Sequence, residues 1–177
     1  MILFYIISIG DLYHFKIRKH YLDLNRQKHT TMNILGPVRE IMTSKLYTLP
    51  PSATIGDAAK LFDEHKIHHI PIAVGDKLVG IVSMSDYLFF KRGFLEDRDD
   101  KKIEDVKMNN YQVNFIMTEG IATMESTGRI NVALEIFKEN IFHAIPIVDD
   151  GVLVGIVTTH DIIINLAKNK GAYAEYE

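Results

Sequence analysis

The sequence predicts a mixed α/β (α+β) fold built from two copies of one unit, each ordered strand, helix, strand, strand, helix and related by internal pseudo-twofold symmetry. The first observation is a repeat, because residues 38–86 align with residues 113–161 at an offset of 75 positions, with 19 identities in 49 positions and no gap. The other two are an amphipathic helix pattern and a pair of β-branched apolar runs in each copy. The chain is therefore predicted to be a tandem duplication.

Each copy opens with the motif Val-x-x-Ile-Met-Thr and a short apolar strand, predicted at residues 46–49 and 121–124. A helix is predicted next, because apolar residues recur at positions i, i+3, i+4 and i+7. These positions are Ile55, Ala58, Ala59 and Phe62 in the first copy and Ile130, Ala133, Leu134 and Phe137 in the second.

Two nearly continuous apolar runs follow the helix in each copy, joined by Gly-Asp or by Asp-Asp-Gly. Such runs suit a hairpin whose strands are buried on both faces. The predicted strands are 70–74 and 78–83, then 145–148 and 153–158. A closing helix is predicted at 85–91 and at 160–168.

Composition limits the classes of protein to which the chain can belong. A length of 177 residues, 47% of them hydrophobic, is enough for one shared core. The net charge of -3 and the absence of a long basic run argue against a nucleic-acid partner. The chain has no cysteine, which fits a reducing, cytoplasmic location and excludes a disulfide or a thiolate site.

The segments outside the repeat are less informative. The apolar run at 1–9 is too short to span a membrane and lacks the basic start of a signal peptide, so no membrane association is expected. Two interpretations of residues 1–31 stay open. In one, Met32 is the natural start of the protein. In the other, the extension forms an N-terminal helix that packs on the module or on a second subunit. The predicted segments are an N-terminal extension at 1–31, the first repeat at 38–91, a charged linker at 92–112, the second repeat at 113–168 and a tail at 169–177.

The repeated order, with Ile-Pro opening the second strand and Gly-Ile-Val-(Ser/Thr)-x-x-Asp closing the third, resembles the CBS domain. The resemblance covers residues 38–168 apart from the linker. Within this range the chain is similar to the regulatory CBS repeats of AMP-activated protein kinase and IMP dehydrogenase. It implies a CBS pair, or Bateman module, that binds AMP, ADP, ATP or S-adenosylmethionine as a regulatory ligand in clefts between the repeats. No cofactor is expected to be required.

The most informative candidate site is the motif Ser-x-x-Asp or Thr-x-x-Asp at the end of each third strand. Ser83 with Asp86, and Thr158 with Asp161, could simply cap the helix that follows. A carboxylate at such a junction could also accept hydrogen bonds from both ribose hydroxyls, and the helix N-terminus favours phosphate. The resemblance implies this second role, so both aspartates are predicted to contact a nucleoside.

Histidines stand beside the same motifs. His68 and His143 occupy equivalent places before the Ile-Pro step, where the resemblance implies a contact with phosphate and where a solvated or packed histidine is the alternative. Ser85 and His160 immediately precede the two aspartates and are secondary candidates.

The resemblance also implies adenine contacts along the first strand and after the Ile-Pro step, although plain core packing is the alternative for the aliphatic members. The predicted residues are Tyr47, Thr48, Ile70 and Pro71 in one site and Ala122, Thr123, Ile145 and Pro146 in the other.

No catalytic motif occurs in the chain, so a ligand-binding regulatory module is expected rather than an enzyme. The alternatives are a structural dimerisation module with empty clefts and, less favoured, a metal site at His65, His68 and His69. A homodimer is expected from the apolar faces around Leu61, Phe62, Ile136 and Phe137, together with a regulated partner protein. The mixed-sign linker is predicted to be a solvated segment, with a regulatory contact surface as the alternative.

Overall fold

The computed structural model describes residues 33–93, 106, 108–139 and 143–168. The extension at 1–31, most of the linker and the tail at 169–177 lie outside the described residues. Asn33–Asn165 form one compact unit. None of the helices in the described ranges is long and apolar enough to cross a membrane.

Both repeats fold as predicted for a mixed helix and strand protein. The first repeat contains α1, β1, β2 and α2, and the second contains α3, β3, β4 and α4 in the same order. The first set is Ile55–His65, His69–Val74, Lys77–Ser83 and Met84–Arg92. The second set is Ile130–Lys138, Ala144–Asp149, Val152–Thr158 and Thr159–Lys168. A single turn of 3-10 helix precedes each set, at Val38–Glu40 and Val113–Phe115.

The strands form two antiparallel hairpins, β1 with β2 and β3 with β4, in the same register. Each hairpin shifts register once at an equivalent place, between Ile72 and Ala73 and between Ile147 and Val148. The connecting turns use positive φ angles, 60° at Gly75 and 81° at Gly151, which glycine adopts without a steric cost. The pseudo-twofold repeat in sequence is therefore matched in backbone pairing.

The first strand predicted in each repeat is reduced to a single bridge. Leu49 pairs with Ile72, and its equivalent Met124 pairs with Ile147, in parallel orientation. The amide of Leu49 donates to the carbonyl of Pro71 at 3.3 Å, and its carbonyl accepts from the amide of Ala73 at 2.9 Å. In the first repeat Pro50 and Pro51 follow at once and have no N–H to continue a ladder.

The opening motif of each repeat pairs with the strands of the other repeat. Thr43 exchanges two backbone hydrogen bonds with Ile156, at 2.9 and 3.0 Å, and Thr118 does the same with Ile81 at 2.9 and 3.0 Å. We call residues 37–43 and 112–118 the crossing segments. Their pairing was not predicted, because the sequence places each motif at the start of its own repeat.

The core reflects this exchange. In the first half of the molecule, the buried cluster consists of Ala58, Phe62, Ile70, Ile72, Val82 and Val113. Val113 comes from the second repeat, and Ile116 and Met117 pack against the same cluster. Each half of the molecule is thus completed by a crossing segment, and the apolar helix faces lie against the hairpins as the i, i+3, i+4, i+7 pattern predicts.

The apolar residues expected to form a dimer interface do not all face outward. Phe62 is 2% exposed and belongs to the core, and Leu61 packs against that core. That basis for a homodimer is therefore wrong for Phe62. The most exposed large apolar side chains within the described residues are Phe89 at 82% and Phe115 at 70%.

One titratable side chain at the start of a strand has a strongly shifted pKa. Burial lowers the pKa of His69 to about 4, and the neighbouring charges of His143 and His68 lower it further, while Asp86 opposes the shift. Burial disfavours the charged imidazolium, and the two other histidines repel it. His69 is therefore neutral in the folded protein at neutral pH.

We predict that substituting the equivalent glycines gives unequal losses of stability. A Cβ at Gly80 would lie 2.9 Å from the carbonyl oxygen of Thr118, which is fixed in a backbone bridge. A Cβ at Gly155 would lie 2.6 Å from Sδ of Met42, a flexible side chain that can move. Gly80→Ala should lower the free energy of unfolding by about 1 to 3 kcal/mol, and Gly155→Ala by less. Urea denaturation of the two matched variants tests this, and equal losses would contradict it.

We also predict a loss of stability between about pH 6.5 and pH 4 that depends on His69. Well above pH 6.5 the His69 imidazole is neutral in both the folded and the unfolded chain, so it does not reduce the free energy of unfolding there. As the pH falls, the unfolded chain binds a proton before the folded chain does, and the folded state loses on the order of 3 kcal/mol by pH 4. Unfolding of His69→Gln should lack this dependence on pH, whereas the exposed control His160→Gln, which is not among the groups that shift the pKa of His69, should keep it. A wild-type curve that is flat over this range would contradict the prediction.

Candidate functional site

Each of the two candidate aspartates closes a junction between a strand and a helix. The amide and hydroxyl of Ser83 donate to Oδ2 of Asp86 at 2.8 and 2.6 Å, and the amide of Asp86 donates to the Ser83 hydroxyl at 3.2 Å. Thr158 and Asp161 repeat the same three distances at the start of α4. The capping interpretation is therefore confirmed at both junctions.

The capping box uses one carboxylate oxygen and leaves the other outside it. Oδ1 of Asp161 accepts a hydrogen bond from the hydroxyl of Thr43 at 3.4 Å. Because Thr43 lies on a crossing segment, this junction is assembled from both repeats. Thr43 was missed as a site residue. The recurrence of threonine at the equivalent position 118 was a signal, but it was attributed to the opening motif alone.

The two predicted phosphate histidines are held beside the capped helices. The carbonyl of His68 accepts from the amide of Met84 at 2.8 Å, and the carbonyl of His143 accepts from the amide of Thr159 at 3.2 Å. Both side chains are exposed, as are Ser85 and His160. These hydrogen bonds fix the backbone position of His68 and His143, while both imidazole rings stay exposed to solvent. A role in binding phosphate stays a prediction for all four residues.

Four of the predicted adenine contacts are core residues. Ile70 and Ile145 are 0% exposed, and Pro71 and Pro146 are below 2%. These side chains pack in the core, and a contact with adenine at these four positions stays a prediction. Their backbone carries part of the packing as well, because the carbonyls of Pro71 and Pro146 accept the bridge hydrogen bonds.

The other four predicted adenine contacts are accessible to different degrees. Thr48, Ala122 and Thr123 are exposed, and Tyr47 is half-buried. The ring of Tyr47 stacks on the ring of His65, with 3.7 Å between centroids and an interplanar angle of 13°. This stack occupies one face of Tyr47 and also engages one histidine of the metal alternative. The described residues contain no group of three His, Cys, Asp or Glu side chains that could hold a metal ion.

Three of the predicted residues line three different clefts. A cleft of about 380 Å³ beside α2 is lined by Asp86, Phe89, Phe90, Gly93, Phe115 and Ile116. A second, of about 420 Å³, contains Thr123 together with Lys77, Gly120 and Ile121. A third, of about 380 Å³, holds His68 between α1 and α2. The phenylalanines beside Asp86 were missed as candidates, although Phe89 and Phe90 follow it closely in the sequence.

The chain was compared with known proteins. The CBS domain family matches residues 38–93 and 113–168. An uncharacterised protein of Methanocaldococcus jannaschii, MJ1232, is 30% identical over 89% of this chain. The match covers 52% of that relative, so this chain spans about half its length.

Two solved structures are similar in fold and sequence. The structure of CBSX2 in complex with AMP has a TM-score of 0.59 and 27% identity, covering 73% of this chain and 94% of that one. The CBS domain pair of protein MJ0100, in complex with 5′-methylthioadenosine and S-adenosyl-L-methionine, has a TM-score of 0.61 and 26% identity, covering 77% and 99%. With the duplicated hairpins, the crossing segments and both family matches, the chain belongs to the CBS domain family and carries two CBS domains arranged as a Bateman module.

Proposed function

We propose that this CBS pair is a regulatory module that binds adenosine-containing ligands at the two capped aspartates. The observation that carries the proposal is the junction at Asp161, where Oδ2 caps the helix and Oδ1 meets a hydroxyl from the other repeat. A carboxylate oxygen outside a capping box accepts hydrogen bonds from vicinal hydroxyls, which a ribose supplies. Asp86 has the same capping geometry and stands in a cleft.

The solved relatives support an adenosine ligand. CBSX2 was solved with AMP, and the pair from MJ0100 was solved with 5′-methylthioadenosine and S-adenosyl-L-methionine. The part shared by these three molecules is adenine joined to a ribose ring with free 2′- and 3′-hydroxyls, and a site that holds those hydroxyls accommodates each of them. AMP, ADP, ATP and S-adenosylmethionine are therefore the ligands to test first.

We further propose that ligand occupancy is transmitted to a partner protein. A ligand at Asp161 touches a junction to which both repeats contribute, so binding favours one relative arrangement of the crossing segment and the strands. Differential contact of this kind is what a regulatory ligand requires.

The second candidate function is a structural dimerisation module. Phe89 and Phe115 expose most of their surface, and solvated phenylalanines on adjacent elements favour association with another apolar surface. A homodimer is compatible with ligand binding, so the two functions are separated only by whether a ligand binds.

We predict that Asp86→Ala and Asp161→Ala each abolish or weaken one of two binding events for adenosine ligands. Loss of charge-assisted hydrogen bonds costs about 1.5 to 3 kcal/mol, which is roughly a ten- to hundredfold loss of affinity. Titration calorimetry with AMP, ATP and S-adenosylmethionine measures the effect.

The first helix provides a matched control. Thr54 and Asp57 form the same capping box on α1, with Oδ2 of Asp57 accepting from the amide and hydroxyl of Thr54 at 3.0 and 2.8 Å. Asp57→Ala should cost about 1 kcal/mol of stability, as at the other caps, without changing ligand affinity. No binding by the wild type up to millimolar nucleotide would reject the proposed function, and equal loss in all three variants would reject the assigned residues.

We predict a homodimer that depends on the exposed phenylalanines. Light scattering of the wild type at micromolar concentration should give about twice 20.2 kDa. Phe89→Ser with Phe115→Ser should shift the mass toward the monomer, whereas the control Val74→Ser, at an exposed hairpin end, should not. A wild type that remains monomeric over this range would contradict the prediction.

A further inference from the structure

His69 lies on the face of the first hairpin opposite the buried cluster. Side chains alternate between the two faces of a strand, and Ile70, Ile72 and Val82 belong to that cluster. His69 is paired with Ser83 across the hairpin, so both side chains lie on the other face. His69 is half-buried there, at the strand end next to the capped helix. The sequence singled it out only as a metal ligand.

Two more histidines lie close to His69, one from each repeat. The charges of His143 and His68 both act on the imidazole of His69, and so does the carboxylate of Asp86. His143 comes from the second repeat, whose strand β3 begins one residue later. We call His68, His69 and His143 the histidine cluster. The cluster is therefore assembled from both repeats beside the Asp86 cap.

The Asp86 carboxylate gives this cluster little compensating charge. Burial is the main cause that lowers the pKa of His69 to about 4, followed by the charges of His143 and His68, and Asp86 opposes them only in part. Oδ2 of Asp86 is already engaged with the amide and the hydroxyl of Ser83. A protonated cluster would thus hold positive charge that Asp86 does not balance.

The charged groups on neighbouring elements do not change this balance. The Asp63 carboxylate and the Lys66 ammonium, which share a cleft with His68, are paired with each other at 2.8 Å. The Lys45 ammonium lies 6.0 Å from the centre of the Tyr47 ring. Other titratable groups on these elements are not among the causes that shift the pKa of His69, namely His65, Glu119 and His160.

The complete cluster belongs to one of the two aspartate sites. Ala144 stands where the first repeat has His69, and it is paired with Thr158 just as His69 is paired with Ser83. The methyl group of an alanine cannot take a proton. An effect of protonation is therefore expected at the Asp86 site and not at the Asp161 site.

We propose that His69 couples phosphate binding at the Asp86 site to the uptake of a proton. An adenosine phosphate held by its ribose at Asp86 places its phosphate against the histidine cluster, and His69 then takes a proton from solvent. This coupling rests on the proposed function, because it assumes adenosine binding at Asp86.

The direction of the effect follows from the charges. A phosphate group carries about two negative charges near neutral pH, and an opposite charge close by favours the protonated imidazole. In the free protein His69 stays neutral until the pH falls to about 4, whereas in the complex it is protonated at higher pH. The complex therefore binds more protons than the free protein in this window, and affinity rises as the pH falls through it.

Calorimetry on the full chain with AMP and with adenosine tests this coupling. Asp161→Ala serves as the background, so that only the Asp86 site is measured. From about pH 7.5 to about pH 5.5, AMP should gain about four- to twentyfold more affinity in this background than when His69→Gln is added. The AMP phosphate itself titrates at about pH 6, but it does so equally against both proteins. Adenosine, which has no phosphate, should show no such difference.

Two further measurements separate charge from structure. Repeating the AMP titrations in buffers of different ionisation enthalpy counts the protons taken up, and this count should fall in His69→Gln. His69→Arg carries a fixed charge, so it should bind AMP more tightly than His69→Gln at both pH values. The control Glu135→Gln, which removes a titratable group paired with Lys138 on α3, should keep the full gain. Thermal unfolding at both pH values checks that each variant is folded.

The outcomes separate the two proposals. If AMP and adenosine respond equally to pH, or if His69→Gln keeps the full gain, the coupling is wrong and the proposed function stands. If the wild type binds neither AMP nor adenosine at millimolar concentration, the proposed function and the coupling both fail.

Discussion

The exchange of the crossing segments is the constraint on which the rest of the structure depends. Thr43 hydrogen-bonds to β4 and Thr118 to β2, so each hairpin gains a neighbour from the other repeat. Val113 fills the core of the first half in the same way. The glycines at 80 and 155 allow this close approach, because a Cβ there would meet the opposing chain. The two repeats therefore share their core and their strand pairing, and they do not form two independent domains joined by a linker.

Local patterns predicted most of the fold. The helices around Ile55 and Ile130 follow from the spacing of apolar residues, and the hairpins follow from β-branched runs around a glycine turn. The short first strands were over-predicted, since residues 46–49 contain the apolar pattern but make only one bridge. The crossing segments escaped prediction because a repeat in sequence gives no information on which copy a motif contacts.

The sequence predicted the local part of the site and missed the part that depends on contacts between the two repeats. Ser83-x-x-Asp86 and Thr158-x-x-Asp161 are local motifs, and their capping geometry could be derived from residue type alone. The contribution of Thr43 depends on a pairing 118 residues apart in sequence. Burial of Ile70 and Pro71 likewise depends on tertiary packing, which a strand pattern shared by core and cleft residues does not reveal.

The dual use of each aspartate has a consequence for reading related sequences. The carboxylate that is proposed to hold a ribose also closes the first turn of a helix, through Oδ2 in both repeats. Selection for a stable fold alone would keep serine or threonine three residues before an acid, even in a module that has lost every ligand. A surviving motif is therefore weak evidence of ligand binding, because the helix cap alone is enough to preserve it.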